Sequence, residues 1–168
     1  QRKNLVLRSH VAKSAVQLTI TTDKVLFERI VSNLLSNALR YTETGGVLLN
    51  LRRAYGKGGA GRGWWLEVWD TGLGIAPQDQ ARIFDPYVQV ANRERDRSKG
   101  LGLGLAIVRH ATELLGITVT AHSRLHRGSC FRLHLPPHLF QHALLTTMPQ
   151  SSQWQAPKVQ PAPWLQGQ

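Results

Sequence analysis

The feature that most constrains the fold of this chain is an amphipathic segment from Lys24 to Tyr41. Its apolar residues recur at spacings of three and four, as on one face of a helix: Phe27, Ile30, Val31, Leu34, Leu35 and Ala38. Asp23 is a suitable N-cap before the segment, and Gly45 and Gly46 stop a helix after it. The pattern predicts a helix whose apolar face needs a second layer of structure to cover it.

Strand patterns on both sides of this helix supply that layer. Short runs of alternating apolar or β-forming residues predict strands at Leu5–Arg8, Val16–Thr22, Val47–Arg53, Trp64–Asp70, Ile117–Ser123 and Ser129–Leu135. A short helix is expected from Pro77, and a second amphipathic helix over Leu105–Leu115. This alternation predicts an α/β (α+β) sandwich, with about three helices packed on one face of a mixed, mostly antiparallel sheet.

The composition limits the class of protein. The hydrophobic content, 42% of 168 residues, is sufficient for one core, and no apolar run is long enough to span a membrane. Lys and Arg number 21 against 10 Asp and Glu, and the net charge of +11 suits nucleic acid, a phosphorylated ligand or an acidic protein surface. Cys130 is the only cysteine, which excludes an internal disulfide and fits a reducing compartment.

Two features concern the ends of the chain. It begins at Gln1 rather than Met, so we expect it to be a piece of a longer protein. After Pro136 acidic residues disappear, while proline and glutamine become frequent. We therefore predict one domain over residues 1–136 and a linker or tail over residues 137–168.

Polar side chains share one face of the long helix. Asn33 and Asn37 are four residues apart and therefore neighbours, and Arg40 and Tyr41 extend the same face by one turn. Asparagine is a poor helix former, and a single one is best interpreted as solvent-exposed. The combination of Asn33, Asn37 and Arg40 instead indicates a polar site beside the core.

A carboxylate is predicted at the end of a buried strand face. Asp70 shares that face with Trp64, Leu66 and Val68, because side chains alternate along a strand. A buried carboxylate is costly unless hydrogen-bond donors reach it. The two glycines that follow allow the backbone to pass close to whatever supplies those donors, although Asp-x-Gly is also a common turn.

Alternate glycines precede the second amphipathic helix. In Lys99–Leu105 they free backbone N–H groups at a helix N-terminus to approach an anion. The basic residues before them add positive charge, although most such stretches are solvated loops. The P-loop pattern is absent from the sequence, and a G-x-G-x-x-G match over Gly56–Gly61 joins two strands, so we interpret it as a hairpin loop.

Together these segments resemble the catalytic ATP-binding domain of bacterial sensor histidine kinases. Five segments are similar, in order, to its N, G1, F and G2 boxes and its terminal Gly-Ser/Thr-x-Phe: Asn33–Thr42, Asp70–Ile75, Ile83–Tyr87, Gly100–Leu105 and Gly128–Phe131. The five boxes in this order are specific to that domain, whereas any single box could occur by chance. The resemblance implies a Bergerat-type ATP-binding fold with ATP and Mg²⁺ as cofactors.

The resemblance also implies roles at the matching positions. Asn37 would bind Mg²⁺, Asn33 would hold the phosphates or a metal-bound water, and Arg40 would contact phosphate where the family usually has lysine. Tyr41 would stack beside adenine, and Asp70 would accept a hydrogen from the adenine amino group. The other expected cofactor-binding residues shape the base pocket or cradle the phosphates: Gly72, Gly74, Ile75, Lys99, Gly100, Leu101, Gly102, Leu103, Gly104, Leu105 and Ser129.

One departure from the wider superfamily bears on the reaction. Its ATPases place a glutamate four residues before the metal-binding asparagine to activate water, and Asn33 stands at that position here. Glu28 lies on roughly the opposite side of the helix. We therefore expect phosphoryl transfer rather than hydrolysis, under a mobile lid formed by Asp85–Lys99.

The resemblance implies partners as well. Family members carry a phosphoacceptor histidine on a preceding helical-hairpin domain, closely followed by an acidic residue. His10 lacks that acidic neighbour, and we interpret it as structural. The expected partners are therefore the phosphoacceptor domain of the same protein and a response-regulator receiver domain, in the cytoplasm, with no nucleic-acid or membrane contact by this chain. A receiver domain after the tail would make the parent a hybrid kinase.

Two alternatives stay open from the sequence. The net charge of +11 would also suit a nucleic-acid-binding module, although no aromatic residues are interleaved with the basic ones. The second alternative is a degenerate regulatory domain that no longer binds nucleotide. The presence of all five boxes disfavours it.

Overall fold

The computed structural model describes residues 3–16, 18–54, 63–89 and 101–141. In chain order its elements are β1 (Val6–Val11), a 3-10 turn (Lys13–Ala15), β2 (Thr19–Ile20), α1 (Lys24–Tyr41), β3 (Gly46–Arg53), β4 (Trp64–Asp70), α2 (Pro77–Gln80), α3 (Gly104–Leu114), β5 (Thr118–Arg124), β6 (Gly128–Leu135), a second 3-10 turn (Pro137–Leu139) and β7 (Phe140–Gln141). Among these residues, no helix is both long and apolar enough to cross a membrane.

The main sheet has five strands in the order β1-β3-β4-β6-β5. Only β1 and β3 run parallel, and the other three pairs are antiparallel. The helices α1 and α3 pack against each other and against the sheet. The predicted sandwich, with a mixed and mostly antiparallel sheet, is confirmed.

The long helix forms as its sequence pattern predicts. The carboxylate of Asp23 accepts a hydrogen bond from the Leu26 N–H at 2.9 Å, which confirms the N-cap. Ile30 and Leu34 are fully buried and belong to the same core cluster as Val68 and Leu133 of the sheet. Burial of this face, rather than helix propensity, accounts for most of the stability of such a helix.

The segment before α1 differs from the prediction. Alternation predicts a strand over Val16–Thr22, but within the described part of that range, which omits Gln17, only Thr19–Ile20 is strand. The chain turns first at Lys13–Ala15, which buries Ala15 and leaves Val16 72% exposed. The alternating run does not reveal its strand partner, because β2 pairs with β7, which lies more than a hundred residues further along the chain.

The packed structure extends beyond the predicted boundary at Pro136. Leu139 is buried in the main core, and the Phe140 ring lies 6.0 Å from that of Trp64. Phe140 also pairs with Ile20, so β7 ties the end of the described chain to β2. The remaining residues of the predicted tail, 142–168, lie outside the described ranges.

The sheet face opposite α1 and α3 carries a buried charge. Glu67 is only 1% exposed and receives hydrogen bonds from Arg52 at 2.8 Å, Arg132 at 2.7 Å and Asn50 at 2.8 Å. Burial raises the pKa of Glu67, but the hydrogen bonds from Arg52, Asn50 and Trp69 and the charge of Arg52 outweigh it, so the net pKa lies below its ordinary value. Alternation along β4 places Glu67 on the face opposite Val68 and Asp70, but it does not predict that Glu67 is buried.

Candidate functional site

A cavity of about 420 Å³ opens between α1, the end of β4, the start of α3 and β6. Its lining includes most of the predicted site residues: Asn33, Asn37, Arg40, Tyr41, Asp70, Gly74, Ile75, Leu101, Gly102, Leu103, Gly104, Leu105 and Ser129. Four segments far apart in the sequence therefore meet around one space, as the resemblance implies.

Three predicted site residues are not among the lining. Gly72 does not line the cavity, and Lys99 and Gly100 lie outside the described ranges, as does most of the expected lid. The structure also adds lining residues that the predictions did not name: Ser36, Ala38, Leu73, Ile83, Val88 and Phe131. All of these except Val88 stand within a recognised box, so the signal for five of them was present in the sequence.

Asp70 is buried, at 8% exposure, and its carboxylate has the donors that burial requires. Oδ1 accepts a hydrogen bond from the Gly72 N–H at 2.8 Å, and the backbone N–H and hydroxyl of Ser129 also donate to the carboxylate. Burial raises the pKa of Asp70, and these hydrogen bonds only partly offset that effect. Asp70 is thus a hydrogen-bond acceptor held in place at the wall of an apolar cavity.

The turn after Asp70 packs closely against the end of α1. The Leu73 N–H donates to the Tyr41 carbonyl at 3.1 Å, and a Cβ on Gly72 would collide with that carbonyl. Gly74 has a φ of +65°, and a Cβ there would collide with the Arg124 carbonyl. Glycine is required at both positions, and this packing places Asp70 beside Tyr41.

The two asparagines of α1 face the N-terminus of α3. The side-chain amide of Asn33 donates to the Arg29 carbonyl at 2.8 Å, which leaves its Oδ1 as an acceptor. A Cβ on Gly104 would lie 3.0 Å from Asn33 Oδ1 and 3.7 Å from Asn37 Nδ2. An alanine at this position would require the Asn33 amide to shift by a few tenths of an ångström, so glycine allows the first turn of α3 to approach the asparagines closely.

The cavity has two chemically different ends. Asn33 is eight residues from Tyr41, or about 12 Å along the helix axis. Asp70 lies beside Tyr41 through the Gly72 turn, and apolar side chains that include Ile75 and Phe131 also line the cavity. Near Asn33 the wall combines amides with the N-terminus of α3, where no side chain caps the free N–H groups. One end suits a flat base with a donor group and the other suits an anion.

The described lining holds one carboxylate, Asp70, and no histidine. Within the described ranges there is also no group of three or more His, Cys, Asp or Glu side chains arranged to hold a metal. A metal at this site would therefore rely on amide oxygens and on oxygens of a bound ligand, a donor set that suits Mg²⁺.

Comparisons with known proteins agree with this geometry. Residues 22–139 match the family described as histidine kinase-, DNA gyrase B- and HSP90-like ATPase. The chain is 41% identical over 108 residues to the sensor protein TorS of Escherichia coli, a match covering 64% of this chain and 11% of TorS. It is 32% identical over 121 residues to the sensor histidine kinase RcsC of the same organism, covering 72% of this chain and 12% of RcsC.

Solved structures of histidine kinases are also similar to this chain. Full-length ShkA in complex with AMPPNP is 35% identical, with a TM-score of 0.60, over 77% of this chain and 25% of ShkA. The catalytic domain of histidine kinase ThkA, at 22% identity and a TM-score of 0.62, covers 79% of both chains and shows the shared fold. This chain spans only about an eighth of the length of TorS and RcsC. It belongs to the histidine kinase-, DNA gyrase B- and HSP90-like ATPase family, as an ATP-binding domain of the sensor histidine kinase type.

Proposed function

We propose that this chain binds Mg-ATP in the cavity and donates the γ-phosphoryl group to a histidine on a separate phosphoacceptor domain of the same protein. The observation that carries the proposal is the division of the cavity into an adenine-compatible end at Asp70 and an anion-compatible end at the start of α3. In this arrangement Asp70 accepts a hydrogen from the adenine amino group while Tyr41 and Ile75 flank the base.

The phosphate end supplies positive potential and oxygen ligands. Arg40 and the free N–H groups of α3 compensate the charge of the phosphates. Asn37 would hold Mg²⁺, which when bound neutralises phosphate charge, and Asn33 is oriented with its Oδ1 toward Gly104. The proposed cofactor set, ATP with Mg²⁺, matches the residues that line this end.

The lining favours transfer over hydrolysis. Asp70 is the only carboxylate of the described lining and belongs to the adenine end, so no side chain of that lining is suited to activate water at the phosphates. Catalysis would then rest on positioning and charge compensation, with the acceptor supplied from elsewhere. A phosphoacceptor domain, followed by a response-regulator receiver domain, is the proposed route of the phosphoryl group, on the cytoplasmic side.

Isothermal titration of AMPPNP with Mg²⁺ into the wild type and Asp70→Asn tests nucleotide binding. We expect micromolar to millimolar binding by the wild type and its loss in the variant, because asparagine presents an N–H donor where the amino group needs an acceptor. Asp79→Asn, which removes the same charge outside the lining, is the matched control and should bind like the wild type. Absence of binding by the wild type contradicts the proposal. Salt-sensitive DNA association would then favour the nucleic-acid alternative.

A second measurement addresses the reaction. Incubated with radiolabelled Mg-ATP, the chain alone should incorporate no label and should release phosphate no faster than buffer does. Both expectations follow from the missing acceptor and from the lack of a base among the described lining residues. Sustained phosphate release by the purified chain would show that it is an ATPase and that the transfer mechanism is wrong.

A further inference from the structure

Three side chains form a row across the sheet behind the adenine end of the cavity. In register, Asp70 of β4 lies opposite Ser129 of β6, which lies opposite Ser123 of β5. The hydroxyl of Ser129 donates to the Asp70 carboxylate, and its oxygen lies 3.0 Å from the hydroxyl oxygen of Ser123. The row thus connects the edge strand of the sheet to the proposed adenine acceptor.

Ser123 also holds the turn that follows Asp70. Its hydroxyl oxygen accepts a hydrogen bond from the Ile75 N–H at 2.8 Å, and the hydroxyl donates to the Gly128 carbonyl at 2.9 Å. Gln80 of α2 adds two bonds, from its side-chain amide to the Ile75 carbonyl at 3.2 Å and to the Ser123 carbonyl at 2.9 Å. Ile75 is therefore fixed at both its N–H and its carbonyl by residues that do not line the cavity.

The direction of the hydrogen bonds along the row makes Ser123 the residue that orients Ser129. Ionised Asp70 accepts hydrogen bonds only, so the single hydroxyl proton of Ser129 points to it. The Ser129 oxygen then accepts a hydrogen bond from the Ser123 hydroxyl. The single proton of that hydroxyl is shared between the Ser129 oxygen and the Gly128 carbonyl. Without the Ser123 hydroxyl, Ser129 loses this support and the Ile75 N–H loses its acceptor.

We propose that Ser123, assisted by Gln80, is a positioning residue for adenine recognition. It acts through Ser129 on Asp70 and through the Ile75 backbone, and it sets the preference of the site for a purine with a 6-amino group. This inference rests on the proposed function. It assigns a specificity role to a residue of the edge strand that does not touch the base.

The test compares two nucleotides on folded variants of the full chain. ATP and the corresponding purine triphosphate without the 6-amino group are titrated, each with Mg²⁺, into the wild type and Ser123→Ala. We expect ATP binding to weaken about three- to tenfold and more than binding of the deamino nucleotide, because both nucleotides lose the support of the Ile75 backbone but only ATP uses the acceptor at Asp70. Ser123→Thr retains the hydroxyl and should restore the preference. Thr120→Ala, an exposed position on the same strand, should bind both nucleotides like the wild type.

The outcomes separate this inference from the function on which it rests. Equal weakening of both nucleotides, or no change in either, overturns the positioning role while leaving ATP binding intact. Failure of the wild type to bind ATP overturns the proposed function itself. If Ser123→Ala does not fold, Gln80→Leu is measured in the same way. A reduced preference for ATP then supports the inference and an unchanged preference overturns it.

Discussion

At the scale of single residues, two buried carboxylates have pKa values shifted in opposite directions, although burial raises the pKa of both. Asp70 has hydrogen-bond donors from Gly72 and Ser129, and burial raises its pKa more than these bonds lower it. Glu67 has hydrogen bonds from Arg52 and Arg132, and its net pKa is lowered. Ionisation of Asp70 at the proposed ligand site therefore lowers the stability of the fold. Ionisation of Glu67 on the opposite face of the sheet raises it.

Glu67→Gln should lower the free energy of unfolding by about 1–3 kcal/mol at neutral pH, because glutamine lacks the negative charge and one of the two oxygens that accept three hydrogen bonds from Arg52 and Arg132. A carboxylate with a lowered pKa stabilises the fold above its unfolded-state value, and this contribution is lost as the pH falls through the folded-state value. The difference between wild type and variant should therefore shrink as the pH is lowered below the ordinary value of 4.5. Urea unfolding across that range measures it.

The matched control is Glu43→Gln, which changes an exposed acid paired with Lys3 at 2.9 Å. Exposed ion pairs contribute about 0–1 kcal/mol, so its effect should be small at every pH. A Glu67→Gln variant whose deficit is the same in acid and at neutral pH would show that Glu67 contributes through packing and not through its charge.

At the scale of elements, the contact between α1 and α3 determines the phosphate end of the cavity. One face of α1 supplies Ile30 and Leu34 to the core, while the adjoining face presents Asn33 and Asn37 to Gly104. The same helix therefore stabilises the domain and carries the proposed ligands. A small displacement of α3 should change ligand binding without unfolding the protein.

Gly104→Ala is designed to cause that displacement. The added Cβ would lie 3.0 Å from Asn33 Oδ1, so the amide must move, and we expect Mg-nucleotide affinity to fall about tenfold. Alanine is the better helix former, so the melting temperature should not fall. Titration calorimetry and thermal melts of the same sample give both quantities.

Gly116→Ala is the matched control, at the other end of α3. Nothing lies within 4 Å of its Cβ, but its φ of +65° makes alanine strained by about 1 kcal/mol, so it should lower the melting temperature and leave affinity unchanged. Unaltered affinity in Gly104→Ala would mean that the asparagines accommodate the methyl group and that this contact does not tune the site.

At the scale of the whole molecule, the described chain closes on itself through β2 and β7. Leu139 is 8% exposed and belongs to the same core cluster as Ile30, and the Thr21 N–H donates to its carbonyl at 2.8 Å. Residues at both ends of the described domain therefore contribute to one core. This packing predicts that the folded unit includes residues 137–141 and does not end at Pro136.

Leu139→Ala should lower the free energy of unfolding by about 2–3 kcal/mol, from lost transfer energy and the cavity that remains. Leu114→Ala, the same change at a position that is 62% exposed, should cost much less. Chemical unfolding of the two variants makes the comparison. Equal and small effects would indicate that the core does not depend on residues beyond Pro136.

The sequence by itself determined the features that depend on local pattern. The α1 helix, its N-cap at Asp23 and its polar face follow from spacing and backbone chemistry within a few residues. The burial of Asp70 follows from strand alternation, and the order of the boxes identifies the family. Such features are predictable because neighbouring residues in one helix or strand have fixed relative directions.

Only the tertiary structure decided the features that depend on register and long-range pairing. These include the burial of Glu67 between Arg52 and Arg132, the row from Asp70 to Ser123, and the pairing of β7 with β2. A shift of one residue in strand pairing would turn every side chain of a strand to the other face, and no local pattern reports which partner a strand has. The packed core selects one register, and that choice brings residues from distant parts of the chain into contact.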